Sequence, residues 1–407
     1  DDRQSGAAAG DIFGERRENN VSTFLTPRQF FMTTKIVMGV DCIRTLSDEV
    51  AKAKARQVLV VTDKGIVNAG ILEPVMEELK RAGVGAAVYD QVQPNPSIGN
   101  TDEAYAKIGG TMYDLVVAVG GGSVIDCAKA LTVLLTNGGS IADYFGREKY
   151  SRDPVPMFAV PTTVGTGSEV TRACVITDTA AKMKKVVGGA SMAPKIAFLD
   201  ARLVSLLPAP LVAATGMDAL THAIEGYVSK NATPITDALN LHAIRMISRN
   251  IRPAVASSDN LEAIHAMLVA STTTGIGFGN ALLGIVHSIS HAFGGLYNAP
   301  HGVLNAILLP YVCEYNWIGN PRKFADIGEA FGLDVRGLTV EDAAKAAVEH
   351  VKMMVREVGI PSKMSEIGIT GVDLDWLTET SFNDIYVETN PRRPSREDIR
   401  AIIRAAV

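Results

Sequence analysis

Cysteine, histidine and long apolar runs are all scarce in this chain. Its four cysteines, Cys42, Cys127, Cys174 and Cys313, are widely scattered with no CxxC pair, which argues against a disulfide framework and for free thiols in a reducing cytoplasm. No apolar run approaches the ~18 residues of a membrane-spanning helix. The opening segment "DDRQSGAAAGDIFGERRENN" has no apolar stretch of the secretory type and reads as a disordered tail or a docking segment for a partner. Basic residues are not in excess: 39 against 44 acidic give a net charge of -5, which weighs against nucleic acid or an anionic membrane as the main partner. What remains, 47% hydrophobic and 20% charged residues, is the composition of a soluble enzyme with a large core. The length suggests two domains at roughly 150 residues each.

The first half alternates short β-branched runs with helical periodicity. "QVLVVTD" (57–63), "GAAVYD" (85–90), "DLVVAVGGG" (114–122) and "VPMFAVPTT" (155–163) read as strands. "ILEPVMEELKRAG" (71–83), "NTDEAYAKIGGTMY" (100–113) and "SVIDCAKALTVLLTN" (123–137, with Ser123 as N-cap) read as helices. This βαβα rhythm predicts a parallel sheet with helices on both faces. Beyond Pro210 the pattern becomes helical to the end, closing on "PSREDIRAIIRAAV" with its Pro-Ser start signal. The expected division is therefore an extension over 1–20, an α/β domain over 21–206 and a helical domain over 207–407.

The dinucleotide fingerprint GxGxxG is missing. In its place "VGGGSVID" follows a strand and opens a helix, so that Gly120, Gly121, Gly122 and Ser123 are placed to cradle a pyrophosphate at a helix N-terminus. A second Gly/Thr/Ser-rich loop, "PTTVGTGSEVT" (161–171), also follows a strand, where open α/β sheets bind ligands. Asp63 ends the strand "VLVVTD": it is either a ribose-binding carboxylate that repels the extra phosphate of NADP, or a turn residue capping "KGIVNAG".

Seven histidines occur in all, and three of them fall within fifteen positions in "HSISHAFGGLYNAPH". Asp218 and His222 in "GMDALTHAIEGY", and His287 and His291, are each four apart, which puts each pair on one helical face. With His301, this clustering of one carboxylate and several imidazoles suits a divalent first-row metal. His242, His265 and His350 are isolated and read as ordinary helical residues.

Together "GGGSVIDCAKA", "PTTVGTGSEVT", "GMDALTHAIEGYVS", "HSISHAFGGLYNAPHGVLNAILLP" and "TNPRRP" closely resemble the iron-containing (group III) alcohol dehydrogenase family, from about Val21 to Val407. The resemblance implies a dehydroquinate synthase-like architecture, an α/β dinucleotide-binding domain with a mostly parallel sheet followed by an all-α domain. It implies metal ligation by Asp218, His222, His287 and His301, with Fe²⁺ expected first and Zn²⁺ as the alternative. It implies His291 as a proton-relay group, and NAD(H) contacts at Asp63, Gly120, Gly121, Gly122, Ser123, Asp126, Thr162 and Thr163. Asn95, Phe278 and Tyr386 match substrate-cleft positions; Tyr386 stands where many members have Cys, and Gly279 where Asn is frequent. The implied activity is hydride transfer between nicotinamide and a small primary alcohol or aldehyde, in a cytoplasmic homo-oligomer, a dimer or larger. Alternatives are a reductase of a functionalised aldehyde such as sulfoacetaldehyde or lactaldehyde, and a zinc-dependent polyol dehydrogenase. A metal hydrolase would leave both glycine-rich loops and Asp63 without a role; a scaffold role through the N-terminal extension is compatible with catalysis.

Overall fold

The structure, a computed structural model, describes residues 28–407, and Phe31–Val407 form one compact unit. The extension expected over 1–20 lies outside the described residues.

The chain runs β1 (Lys35–Met38), α1 (Leu46–Lys52), β2 (Gln57–Val61), α2 (Lys64–Asn68), α3 (Glu73–Arg81), β3 (Gly85–Tyr89), α4 (Ile98–Ile108), β4 (Leu115–Gly120) and α5 (Gly122–Asn137). Then come β5 (Gly146–Arg147), β6 (Met157–Pro161), β7 (Ala173–Asp178), β8 (Met183–Gly188) and β9 (Ile196–Leu199). Six strands form an all-parallel sheet in the order β1-β9-β6-β4-β2-β3, with Val60 paired to Val117 and Gly120 to Pro161. Every residue of β4 and β6 is buried, as a parallel sheet covered on both faces requires. β5, β8 and β7 make a second, small sheet that the alternating pattern did not announce.

After β2 the chain turns outward to edge strand β3; after β4 it turns the other way, to β6. Such a reversal opens a crevice at the carboxyl ends of the two strands, which is where open α/β sheets bind ligands. Asp63 follows β2 and the triple glycine follows β4, so both line that crevice.

From Ala201 on, every described α- or β-element is an α-helix: α6 (Ala201–Val204), α7 (Ala209–Val228), α8 (Pro234–Ala256), α9 (Leu261–Ala281), α10 (Ile285–Tyr297), α11 (His301–Asn316), α12 (Pro321–Phe331), α13 (Val340–Glu357), α14 (Leu374–Phe382) and α15 (Arg396–Ala406). The start signal read at the last helix is in use, Ser395 forming a capping box with Asp398 at α15; at α9 the structure shows the Asn260 side chain as the cap. α7 is buried along almost its whole length, from Val212 to Val228, and packs among α8, α9 and α11.

Two devices lock the helices to the loop after β6. Gly167 has φ +60, and a Cβ there would lie 2.6 Å from Gly275 Cα on α9, so only glycine allows this backbone-to-backbone approach. Below it, the fully buried Lys129 of α5 donates to Ser168 O at 2.7 Å, Thr171 Oγ1 at 2.9 Å and Ala173 O at 2.9 Å. The Ser168 hydroxyl lies 3.1 Å from Lys129 Nζ and donates at 2.6 Å to Asp126 Oδ1. Removing the ammonium leaves Ser168 O, Thr171 Oγ1 and Ala173 O without their donor and takes a cation from beside the Asp126 and Glu169 carboxylates. Lys129→Met is expected to lower stability by about 3–5 kcal/mol, read as a shifted urea midpoint; a midpoint equal to the parent's would show that the lysine does not hold this loop.

Candidate active site

Three helices converge on one point. Asp218 and His222 lie one turn apart on α7, His287 is in the first turn of α10, and His301 is the first residue of α11. Two tight corners bring them together. Leu282 adopts φ 63 between α9 and α10, and Asn298 adopts φ 51 at the end of α10, before Pro300 starts α11. One donor atom from each of the four residues lies within 4.8 Å of the other three. Asp218, His222 and His287 are buried, and the His301 side chain is 24% exposed.

This donor set fits a divalent metal. The buried Nδ1 of His222 has no hydrogen-bond partner among the described residues and lies 3.8 Å from Asp218 Oδ1. Burial pushes both His287 and His301 well below the ordinary imidazole range, so each is neutral and keeps a lone pair to give. His287 Nδ1 sits 2.6 Å from Glu225 Oε2, and the other oxygen of that carboxylate accepts from Val286 N at 2.7 Å. Burial raises the Glu225 carboxyl to about 7. Its bond to Nδ1 fixes the ring so that Nε2 faces inward. Ser290 Oγ lies 3.1 Å from His301 Nδ1 in the same relation.

Helical spacing pairs His287 with His291, yet the structure separates them. The His291 ring centre is 6.0 Å from that of His287, and its Nδ1 lies 3.1 Å from Asp384 Oδ2. Asp384 is itself held by Ser288 Oγ at 3.2 Å and Tyr386 N at 2.9 Å. Phe278 stacks on His222 at 4.4 Å, and the Tyr386 ring stands 6.3 Å from His287 and 5.8 Å from His291. Burial raises the Tyr386 phenol above its ordinary range, so it remains a neutral donor.

The cofactor positions divide. Helix α5 begins at Gly122 with Gly121 as N-cap, so Ser123 lies inside the helix and is not its cap; its hydroxyl instead accepts from Asn95 N at 3.1 Å. A Cβ at Gly121 would lie 2.9 Å from Thr163 Cγ2, and one at Gly122 would lie 2.6 Å from Thr166 Cγ2. The two glycine-rich loops thus pack against each other at the sheet crevice. Thr162 Oγ1 is buried and without a hydrogen-bond partner. Asp63 takes the capping role, accepting from Ile66 N at 2.9 Å through Oδ1; Oδ2 has no partner among the described residues. Asp126, expected at the cofactor, has both oxygens bonded within the protein, to Ser168 Oγ at 2.6 Å and to Val175 N at 2.9 Å. A cradle of close-packed glycines, an orphaned hydroxyl and a carboxylate beside the crevice fit a dinucleotide.

Asn95, expected in the substrate cleft, joins the two halves of the molecule. Its Nδ2 donates to Asn298 Oδ1 at 3.0 Å, and its Oδ1 accepts from Lys184 Nζ at 3.2 Å. Lys184, Glu225, Asp384 and Asn305 escaped the sequence reading. Glu225 and Asn305 carry a faint signal, at three residues past His222 and four past His301; Lys184 and Asp384 reach the site only through tertiary packing.

An α/β crevice for a dinucleotide beside a buried carboxylate–imidazole cluster defines the class: a metal- and nicotinamide-dependent oxidoreductase. The chain matches the family Iron-containing alcohol dehydrogenase over residues 33–201, and the Fe-containing alcohol dehydrogenase family, C-terminal, over residues 212–407. It is 41% identical over 370 residues to a 1,3-propanediol dehydrogenase of Klebsiella pneumoniae (90% of this chain, 96% of the relative). It is 38% identical over 378 residues to an NAD-dependent methanol dehydrogenase of Bacillus methanolicus (93% and 99%). A crystal structure of 1,3-propanediol oxidoreductase superposes with a TM-score of 0.91 at 40% identity, covering 94% of this chain and 100% of that one. The chain belongs to the iron-containing alcohol dehydrogenase family. It is an enzyme of alcohol and aldehyde oxidoreduction that uses NAD(H) and a divalent metal.

Burial lowers the Lys184 ammonium to about 8. The cleft therefore carries this cation below pH 8 and loses it as pH rises through that value. The KM for NADH, an anion, is expected to climb between pH 7 and 9 in the parent and to be high and flat in Lys184→Met. An identical pH profile in the two proteins would remove Lys184 from cofactor binding.

Proposed function

We propose that Asp218, His222, His287 and His301 hold the metal, that the crevice between β2 and β4 holds NAD(H), and that the substrate is a small primary alcohol or its aldehyde. The observation that carries this reading is the meeting of four donor atoms from three helices within 4.8 Å. The substrate class is supported by the bulk of Phe278 and Tyr386 around the cluster, and by the small alcohols named for the propanediol and methanol dehydrogenases. Fe²⁺ suits the donors and the family; Zn²⁺ suits the same donors, because affinity alone does not select iron. We read the α/β part, to about residue 206, as the cofactor domain and the helices from 207 as the metal domain. Among the described residues no single helix is long and apolar enough to cross a membrane. A cytoplasmic dimer or larger homo-oligomer is the family-level expectation.

When bound, the metal supplies Lewis acidity at the substrate oxygen and the nicotinamide supplies or accepts the hydride. The protein's own residues do the rest. Asp384 takes the Nδ1 proton of His291 as a hydrogen bond, which leaves the Nε2 lone pair to accept the alcohol proton, or Nε2–H to return it to an alkoxide. Phe278 and Tyr386 exclude water and set the width of the cleft. Glu225 and Ser290 hold His287 and His301 in register.

The reading is tested by anaerobic purification, metal analysis and NADH oxidation with acetaldehyde, propionaldehyde, 3-hydroxypropionaldehyde, lactaldehyde and sulfoacetaldehyde. Activity should vanish with chelator and return with Fe²⁺; oxidation that persists in chelator would defeat the metal assignment. His291→Ala is expected to lower kcat by about 10²–10⁴-fold with metal content intact, and unchanged turnover across pH would rule out the relay. Asp63→Gly should narrow the preference for NAD over NADP, since the carboxylate would repel the extra phosphate. An unchanged NAD/NADP ratio would leave Asp63 as a helix cap alone.

A further inference from the structure

Asn305 lies on α11, one turn beyond His301, and is completely buried. Its Nδ2 reaches three of the four candidate donor atoms: Asp218 Oδ1 at 2.6 Å, His301 Nε2 at 3.0 Å and His287 Nε2 at 3.1 Å. Its Oδ1 is buried and has no hydrogen-bond partner among the described residues. A buried carbonyl oxygen without a donor is costly and uncommon, so something must hold the amide in this orientation. The charge on Asp218 does so. Turned over, the amide would point its oxygen at the carboxylate and be repelled; as found, it presents an N–H to an anion, the stronger kind of hydrogen bond.

The other candidate ligands each have a companion. Glu225 fixes His287, Ser290 fixes His301, and Phe278 lies flat against His222. Asp218 receives no hydrogen bond among the described residues except the one from Asn305. The imidazole nitrogens of His222 and His301 stand 3.8 and 3.9 Å from its Oδ1, and Lys184 and His287 also act on it electrostatically, none of them as a hydrogen-bond donor to it. A carboxylate oxygen has more than one lone pair and can serve an N–H and a cation together. The imidazole Nε2 atoms have one each and cannot. The bond to Asp218 is therefore the one of the three that survives metal binding.

We propose that Asn305 is a positioning residue of the metal site, the outer-sphere donor that aims the Asp218 carboxylate and so sets how tightly the ion is held. This rests on the ligand assignment made above. Asn305→Leu keeps the shape and removes the donor; Asn305→Ala removes the donor and leaves room if leucine is not accommodated. Affinity for Fe²⁺, handled anaerobically, and for Zn²⁺ would be measured by chelator competition on the full chain, with the Kd for NADH measured alongside. The expected result is a metal Kd about 10–100-fold weaker in both variants with NADH affinity unchanged, since the cofactor crevice is untouched. A folded variant that binds metal like the parent would overturn the proposal. So would a crystal structure of the metal-loaded parent in which Asn305 has left the Asp218 carboxylate. If the parent itself binds no metal, it is the ligand assignment that fails, and the two failures are told apart by that one control.

Discussion

A carboxylate buried at the centre of an apolar helical bundle is the constraint around which this protein is organised. Asp218 is 2% exposed, with Met217, Ala219 and Leu220 beside it at zero. An isolated charge in such a place would be neutralised or expelled. It is kept by what surrounds it: imidazoles from three helices and one amide N–H. Much else follows from assembling that group, including the two corners at Leu282 and Asn298, the burial of α7 along its length and the outer carboxylate at Glu225. Burial then acts on the histidines in the useful direction. It keeps His287 and His301 neutral and able to donate lone pairs.

The cofactor side is built by a different means. There the organising element is the main chain, through glycines that let the turn after β4 meet the loop after β6, and through a sheet whose strand order reverses between β2 and β4. The buried Lys129 holds the second loop from beneath, and Glu169 on that loop accepts from Thr272 of α9 at 2.6 Å. One short segment thus contacts the sheet, the cofactor crevice and the helices. With the cofactor and metal placed as proposed, hydride would pass between a group held by loops and a group held by helices, and the distance between them would depend on this junction. Asn95, bonded to both Asn298 and Lys184, spans it at the cleft.

What could be read from the chain had short-range causes. The parallel sheet follows from β-branched runs alternating with helical periodicity. The helical half follows from apolar residues three and four apart, and the start of α15 from its capping residue. Asp218 with His222, and the cluster at His287, stood out because matched spacings within a helix are uncommon by chance. Other features lacked a local cause. The small sheet of β5, β7 and β8 is partly exposed, so its alternation is weak. Asp126 follows the glycine motif of the crevice by a few residues, and its side chain is bonded by Ser168 and Val175, residues 42 and 49 positions away.

The sequence by itself determined the main strands and helices, their order, the family and the residue types of the carboxylate–imidazole cluster, because periodicity, caps and spacing are properties of neighbours along the chain. Only the tertiary structure decided what holds each of the two histidines one helical turn apart, Glu225 for His287 and Asp384 for His291. It alone decided that Asp63 caps a helix, that Lys184 brings a cation to the cleft, and that Asn305 is the hydrogen-bond donor to Asp218. Apart from the Asp63 cap, which joins residues three apart, each of these depends on groups 62 to 93 residues apart meeting at hydrogen-bond distance, and no local pattern encodes such a meeting.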